Sequence, residues 1–394
     1  MKWFKYLKED SQDKIKKLNK IKLINLPPYP QNELKTYYNK LNYYYNNSGK
    51  INPDKIIQKK VEKWKYKYIS GETALKNQKL DYQTHYEFNN QKIIFHHKID
   101  DHNYEYLLLK RIITLLNYYN YNKSTEISII TNDINRKLNK QKSNNISKDL
   151  EFMKQKSIAN ISSGVTTSNG KLIVSRIEEL PKLLVHELIH LIGLDGNLFD
   201  PNNINIRNSI DNISNYYISN FCVKKNINSV AIESYTETLS NILNCMFFSF
   251  EIKNGNFDVF IETLELERQY SIYQTAKLLY FFNFNSFDEF FNQCENNINS
   301  NKRVFFTDTL YLDYTIIRSI IFFKFSEIIN IIDITNTNFY ILNTNPNFYD
   351  KLLIIINDTI KNNEEYKNIL NVYLNKMKYV NDLDIGYTCI DIAI

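Results

Sequence analysis

The sequence predicts an α+β fold, a small mixed sheet with helices packed on it, followed by a mostly helical C-terminal part. Three observations carry this. Short β-prone runs with turn signals between them fill residues 81 to 175. A short apolar helix, "LPKLLVHELIHLIG", follows the last of these runs. Beyond residue 250 nearly every segment repeats its apolar residues at helical spacing. Runs of strands and helices in that order fit a sheet whose apolar faces are buried under helices.

The sheet elements read as follows. "THYEF" and "KIIFHHKI" flank "NNQ" and predict a hairpin. His96 and His97 occupy adjacent strand positions, point to opposite faces and read as structural. "YEYLLLKRIITLLNYYN" predicts a helix over about 104–119, and "TEISIIT" a strand. "SGVTTSNGKLIVS" holds two β-prone runs around Asn169-Gly170, a strong hairpin turn pair. Residues 194–228 are polar and Asn-rich and read as a long loop. A helix is expected from about Ser229, where Ile232, Tyr235, Leu239, Ile242, Leu243 and Met246 make an apolar stripe. Further helices are expected in "FIETLELERQYSIYQTAKLLYFF", "LYLDYTIIRSIIFF" and "EYKNILNVYLNKM". The expected organisation is a charged helical N-terminal extension over 1–80, a core over 81–250 and a helical subdomain over 251–394.

Composition narrows the function classes. The 394 residues hold 43% hydrophobic side chains, enough for a sizeable core. Asn, Ile, Lys and 30 Tyr crowd the chain, while Gly (8) and Pro (7) are scarce. This bias fits an AT-rich genome and takes weight from any functional reading of the Tyr and Asn runs. A formal charge of +6, with acids interleaved and no nucleic-acid-binding signature, gives no expectation of nucleic-acid binding. The basic run "KIKKLNKIK" reads as a solvated helix face. No segment offers about 20 clean apolar residues, so no membrane span is expected. The start lacks a signal-peptide core, and Cys222, Cys245, Cys294 and Cys389 show no paired spacing. An intracellular protein with reduced thiols is expected.

The chemistry concentrates in "HELIH". Residues four apart on a helix share a face, so His186 and His190 can aim their imidazoles at one point. Glu187 is one step round and can reach a water there. Two zinc ligands and a general base are the mechanical content of this spacing. The flanking Leu183, Leu184, Leu188, Leu191 and Ile192 mark a buried helix, and Gly193 is placed to end it. Three polar groups on such a helix cost several kcal/mol unless paired, about 1–3 each by mutational data, and a metal pairs them most simply.

A hydrolytic zinc site takes three protein ligands. No histidine follows His190. The downstream candidates are Glu233 and Glu237, at i and i+4 on the helix expected after Ser229. One carboxylate can ligate and the other can hydrogen-bond a ligating histidine. A rival pattern, H-E-x-x-H-x-x-G-x-x-H/D, matches as far as Gly193 but places Gly196 at its ligand position, with Asp195 one residue out of register.

These residues resemble the gluzincin metallopeptidases, whose H-E-x-x-H helix is followed by a helix carrying a ligating Glu and, four residues on, an acidic supporting residue. His186, Glu187, His190, Glu233 and Glu237 match in type and order. The resemblance implies a zincin-like catalytic domain, zinc held by His186, His190 and Glu233, and Glu237 as supporter. "SGVT…KLIVSRIEELPKLLVHELIHLIGLD" and "ESYTETLSNIL" also look like uncharacterised metallopeptidases of large DNA viruses. The likeness spans about residues 160–280. It implies peptide or protein substrates and a location in the host cytoplasm or the virion.

The expected activity is therefore zinc-dependent peptide hydrolysis with Glu187 as general base. The strand Lys171, Leu172, Ile173, Val174 and Ser175 is expected to be the edge that pairs with substrate. Arg176, Tyr270, Tyr311 and Arg318 are the candidates for a second oxyanion donor. The competing class is a catalytically silent structural or virion assembly protein with a structural zinc. An intact Glu187 speaks against it, since a structural site needs no base.

Overall fold

A computed structural model describes residues 2–20, 24–48, 54–60, 82–97, 102–131, 164–175, 179–196, 204–220, 230–281, 284–291, 312–332, 347–377, 386 and 388–391. It is an α+β structure built on one six-stranded mixed sheet. The strands are β1 (Asp54–Lys60), β2 (Tyr82–Phe88), β3 (Gln91–His97), β4 (Thr125–Ile130), β5 (Gly164–Thr166) and β6 (Lys171–Ser175), in spatial order β1-β2-β3-β4-β6-β5. β1, β2 and β3 form an antiparallel meander. β3, β4 and β6 run parallel, and β5 closes the far edge antiparallel to β6.

The helices are α1 (Glu9–Lys20), α2 (Gln31–Ser48), α3 (His102–Tyr118), α4 (Leu180–Ile192), α5 (Ile204–Asn220), α6 (Val230–Glu251), α7 (Phe257–Phe281), α8 (Phe287–Phe291), α9 (Arg318–Phe323), α10 (Phe325–Ile332), α11 (Phe348–Asn362) and α12 (Glu364–Met377). Leu312–Ile317 forms a wide π-helical turn running into α9.

Both expected hairpins form. Asn89 takes a positive φ in the turn between β2 and β3. Gly170 (φ 76°) closes the turn between β5 and β6, with its N–H donating to Thr167 O at 3.1 Å. α3 links the parallel pair β3 and β4, which need a crossover. Ile127, Ile129, Ile130, Leu172, Ile173 and Val174 are all buried, as expected of parallel strands covered on both faces. His96 is wholly buried and His97 nearly so, with His97 Nε2 at 2.8 Å from Thr84 Oγ1.

Three expectations need correction. Lys171–Ser175 is not an edge strand, because β4 and β5 pair with its two sides. The edge next to it is β5, with β1 at the opposite edge, and no strand lies beyond either among the described residues. The Asn-rich stretch expected as a loop contains α5, whose Ile210 and Ile213 are buried against the rest of the fold. Residues 54–60, placed in a helical extension, supply β1.

The N-terminal segment packs into the body of the protein. Trp3 Nε1 donates to Glu262 at 2.6 Å, and Arg268 Nη2 donates to Pro27 O at 2.7 Å. Apolar side chains from α1, α2, the sheet and the C-terminal helices join in one core. No helix among the described residues is long and apolar enough to cross a membrane.

Candidate metal centre

The HELIH helix, α4, begins directly after the sheet. Pro181 stands in its first turn, where a missing N–H costs nothing. The residue before the helix, Glu179, sits in the left-handed region (φ 57°) and is buried. Its N–H donates to Asp391 Oδ2, and its Oε1 accepts from Lys14 Nζ at 3.2 Å. Gly193 (φ 84°) ends α4 in a left-handed cap, its N–H donating to Ile189 O at 2.9 Å. The chain turns there, and Asp195 comes back toward the helix.

α4 packs on α6, which brings Glu233 and Glu237 to the histidines. His186 Nε2 and His190 Nε2 are 3.2 Å apart. Glu233 Oε2 is 3.2 Å from the first and 3.5 Å from the second. These three are the residues whose donor atoms converge as a metal site requires, among the described residues. Ligands about 2.0–2.1 Å from a tetrahedral zinc stand about 3.3 Å from one another. The triangle matches that spacing.

The other ring nitrogens explain why the Nε2 atoms face inward. His186 Nδ1 lies 3.0 Å from Glu237 Oε2, and His190 Nδ1 lies 2.5 Å from Asp195 Oδ2. A carboxylate facing each Nδ1 holds a proton there and leaves the Nε2 lone pair for a metal. The carboxylates are fixed in turn. Lys182 Nζ and Arg318 Nη1 both contact Glu237 Oε1, the latter at 3.0 Å. Tyr349 Oη donates to the Asp195 carbonyl at 2.5 Å, and the Tyr314 ring stands edge-on to His186 with centroids 5.9 Å apart.

Charge balance points the same way. Four buried or nearly buried carboxylates, Glu187, Asp195, Glu233 and Glu237, face two buried cations, Lys182 and Arg318. Fully ionised, that group is short of two positive charges. Burial alone would lower the pKa of His186, yet hydrogen bonds to Glu233 and Glu237 outweigh it and raise the value. His190 is held well above its ordinary range against the same burial penalty by Glu233 and Asp195. Glu237 is carried down to about 2, because Lys182, His186 and Arg318 overcome the effect of burial. The carboxylates thus draw positive charge onto the two imidazoles.

Glu187 lies against the short edge strand. Thr166 Oγ1 donates to its Oε2 at 2.7 Å and stands 3.0 Å from its backbone carbonyl. Gly164 has no side chain because none fits: an added Cβ would come 2.7 Å from Glu187 Cγ. Burial raises the pKa of Glu187, opposed by the two imidazoles and the Thr166 hydroxyl.

Of the sequence candidates, His186, His190, Glu187, Glu233 and Glu237 come together in one cluster. The oxyanion candidates do not. Arg318 is turned behind Glu237, and Tyr270 is buried beside Gly386, near Lys14 and Glu179. Arg176 and Tyr311 lie outside the described residues. Sequence reasoning missed Thr166, Lys182 and Tyr349, and weighed Asp195 only as a ligand one residue out of register. Lys182 carried a signal, since it precedes His186 by four residues and so shares its face.

Fold and site together define an α+β protein with a largely buried His–His–Glu donor set beside a second carboxylate, Glu187. No family model matches the chain, and no solved structure matches it. It is similar to "Uncharacterized protein R210" of Acanthamoeba polyphaga mimivirus, 27% identical over 248 residues. The match covers 60% of this chain and 57% of that protein, so the chain spans a little over half the length of that relative.

Proposed function

We propose that the chain is a zinc-dependent metallopeptidase of gluzincin type with a zincin-like catalytic core. The observation that carries this reading is the convergence of His186 Nε2, His190 Nε2 and Glu233 Oε2 next to Glu187 on the same helix. The small mixed sheet followed by the HELIH helix suits the core that the sequence resemblance implies. The similarity to a mimivirus protein agrees with a large DNA virus as the source.

Zinc at this site would supply Lewis acidity, activating water and polarising a carbonyl. His186, His190 and Glu233 would hold the ion. Glu187 accepts the proton of the attacking water as its oxygen bonds to the peptide carbon. It then passes that proton to the nitrogen as the C–N bond breaks. Burial pushes its pKa up from the ordinary carboxylate range, the direction that favours returning a proton as well as accepting one. Thr166 keeps the carboxylate pointed. The free edge of β5, in place of β6, supplies backbone groups for an extended peptide.

The test is zinc per chain by elemental analysis, then hydrolysis of a quenched fluorescent peptide library. Wild type and Glu187→Gln are expected to hold one zinc each. Glu233→Ala is expected to lose it, and Glu237→Ala to bind it weakly. Only the wild type should cleave peptide. A wild type that takes up no zinc overturns the reading.

One observation favours a second reading. Glu187 is only 5% exposed, which suits a structural zinc in a catalytically silent assembly protein. In that case zinc binds, and wild type and Glu187→Gln are equally inactive.

A further inference from the structure

We propose that Lys182 and Arg318 are positioning residues for the metal centre: together they hold Glu237 so that its second oxygen fixes the proton on His186 Nδ1. This rests on the reading of the site as a metal centre. Neither residue faces the His–His–Glu triangle directly.

The geometry runs outward in layers. Glu237 Oε2 stands 3.0 Å from His186 Nδ1. The other oxygen, Oε1, accepts from both Lys182 Nζ and Arg318 Nη1. A carboxylate turns about one bond. Two donors on one oxygen set that torsion and hold the other oxygen 3.0 Å from His186 Nδ1. Arg318 is itself held by Ser271, whose hydroxyl accepts from Nε at 3.1 Å.

The backbone around each cation fits this role. Lys182 lies one helical turn before His186 on α4, so the helix that carries the ligand also carries part of its support. Arg318 is the first residue of α9, directly after the wide turn Leu312–Ile317. π-helical turns are rare and are found frequently at functional sites. Both cations are buried, Arg318 at 0% exposure and Lys182 at 3%. Burying two cations is costly unless each is well paired, and a solvent-exposed lysine would serve surface charge equally well. Their common partner is the carboxylate behind the ligand.

Two readouts test this on the full chain. The first is zinc affinity by competition with a chromophoric chelator. Lys182→Met and Arg318→Met are each expected to weaken zinc binding by about ten- to hundredfold, the usual cost of losing a partner behind a ligand. Arg318→Lys is expected to recover part of the loss. The second is the Nδ1 proton resonance of His186 in the zinc-free, histidine-labelled protein. It is expected to be protected from exchange in the wild type and broadened in both Met variants, while that of His190, held by Asp195, stays unchanged.

A folded Met variant with unchanged zinc affinity and an unchanged His186 proton resonance overturns the proposal. A change of both histidine resonances alike also overturns it, since that reports general loosening. If a Met variant does not fold, Arg318→Lys and Lys182→Gln carry the same comparison. Should the wild type bind no zinc, the metal reading fails, yet the His186 resonance still decides whether the two cations position Glu237.

Discussion

Asp195 Oδ2 lies 2.5 Å from Nδ1 of His190, five residues after it in the chain and on the far side of the Gly193 cap. A pattern match treats Asp195 as a failed ligand, one residue out of register. The structure gives it the other ring nitrogen. Its backbone is tied down by Tyr349 through the carbonyl, and Thr236 Oγ1 stands 3.4 Å from its carboxylate. Asp195→Ala is therefore expected to keep a zinc stoichiometry of one at saturation but to weaken affinity by about ten- to hundredfold. Chelator competition measures this. An unchanged affinity would mean that the Gly193 turn alone orients His190.

Gly164 has a different constraint. Its φ is ordinary, and what it lacks is space, because Glu187 fills the position of a Cβ. Gly164→Ala must displace either the edge strand or the Glu187 side chain. Overpacking of this kind costs about 1–3 kcal/mol. The variant is expected to melt at lower temperature, to bind zinc as the wild type does, and to lose peptide hydrolysis if Glu187 is the base. Calorimetry, the zinc measurement and the peptide assay read the three outcomes separately.

What the sequence displayed and what it hid follow from range. HELIH and Glu233/Glu237 each encode their geometry within one helical turn, so spacing alone brought their side chains onto shared faces. The hairpins were equally local, with Asn89 and Gly170 marking their turns. The edge strand was not local. The sequence points to β6 as the edge because its pairing with β4 joins residues more than forty positions apart, such as Glu126 and Lys171. α5 was hidden by composition, since Asn dilutes the stripe that Ile210 and Ile213 bury. Arg318 reached the site from a helix with no motif of its own, and only tertiary packing shows that it stands behind Glu237.

Arg111 is a structural counterpart to the His–His–Glu cluster. It is buried on α3 and grips Glu251 with Nε at 2.7 Å and Nη2 at 2.6 Å, while Nη1 reaches Asn244 at 2.8 Å. The pair ties the sheet-side helix α3 to the end of α6, the helix that carries Glu233. Arg111→Met keeps most of the volume but leaves the Glu251 carboxylate buried without its cation. Breaking one side of a buried pair costs about 3–5 kcal/mol. A fall of that size in denaturant-measured stability is expected. Arg111→Met with Glu251→Leu should regain much of it, and a double variant no better than the single would deny that the loss is the unpaired charge.

His96 sets an acid limit on the fold. It is wholly buried, and burial, with smaller contributions from His85 and His97, lowers its pKa to about 3. Gln83 Nε2 is 3.1 Å from its Nδ1. An unfolded histidine takes up its proton near pH 6.5. Between about 6.5 and 3 the unfolded chain therefore holds a proton that the folded chain does not. A base with a depressed folded pKa favours the unfolded state as pH falls, so stability should decline across that window. The slope from one group is about 1.4 kcal/mol per pH unit. Replacing His96 with Gln removes the group from both states. Urea unfolding of His96→Gln at several values between pH 7 and 4 is expected to give a flatter dependence than the wild type, whatever its stability at pH 7. Parallel curves would place the acid lability elsewhere in the chain.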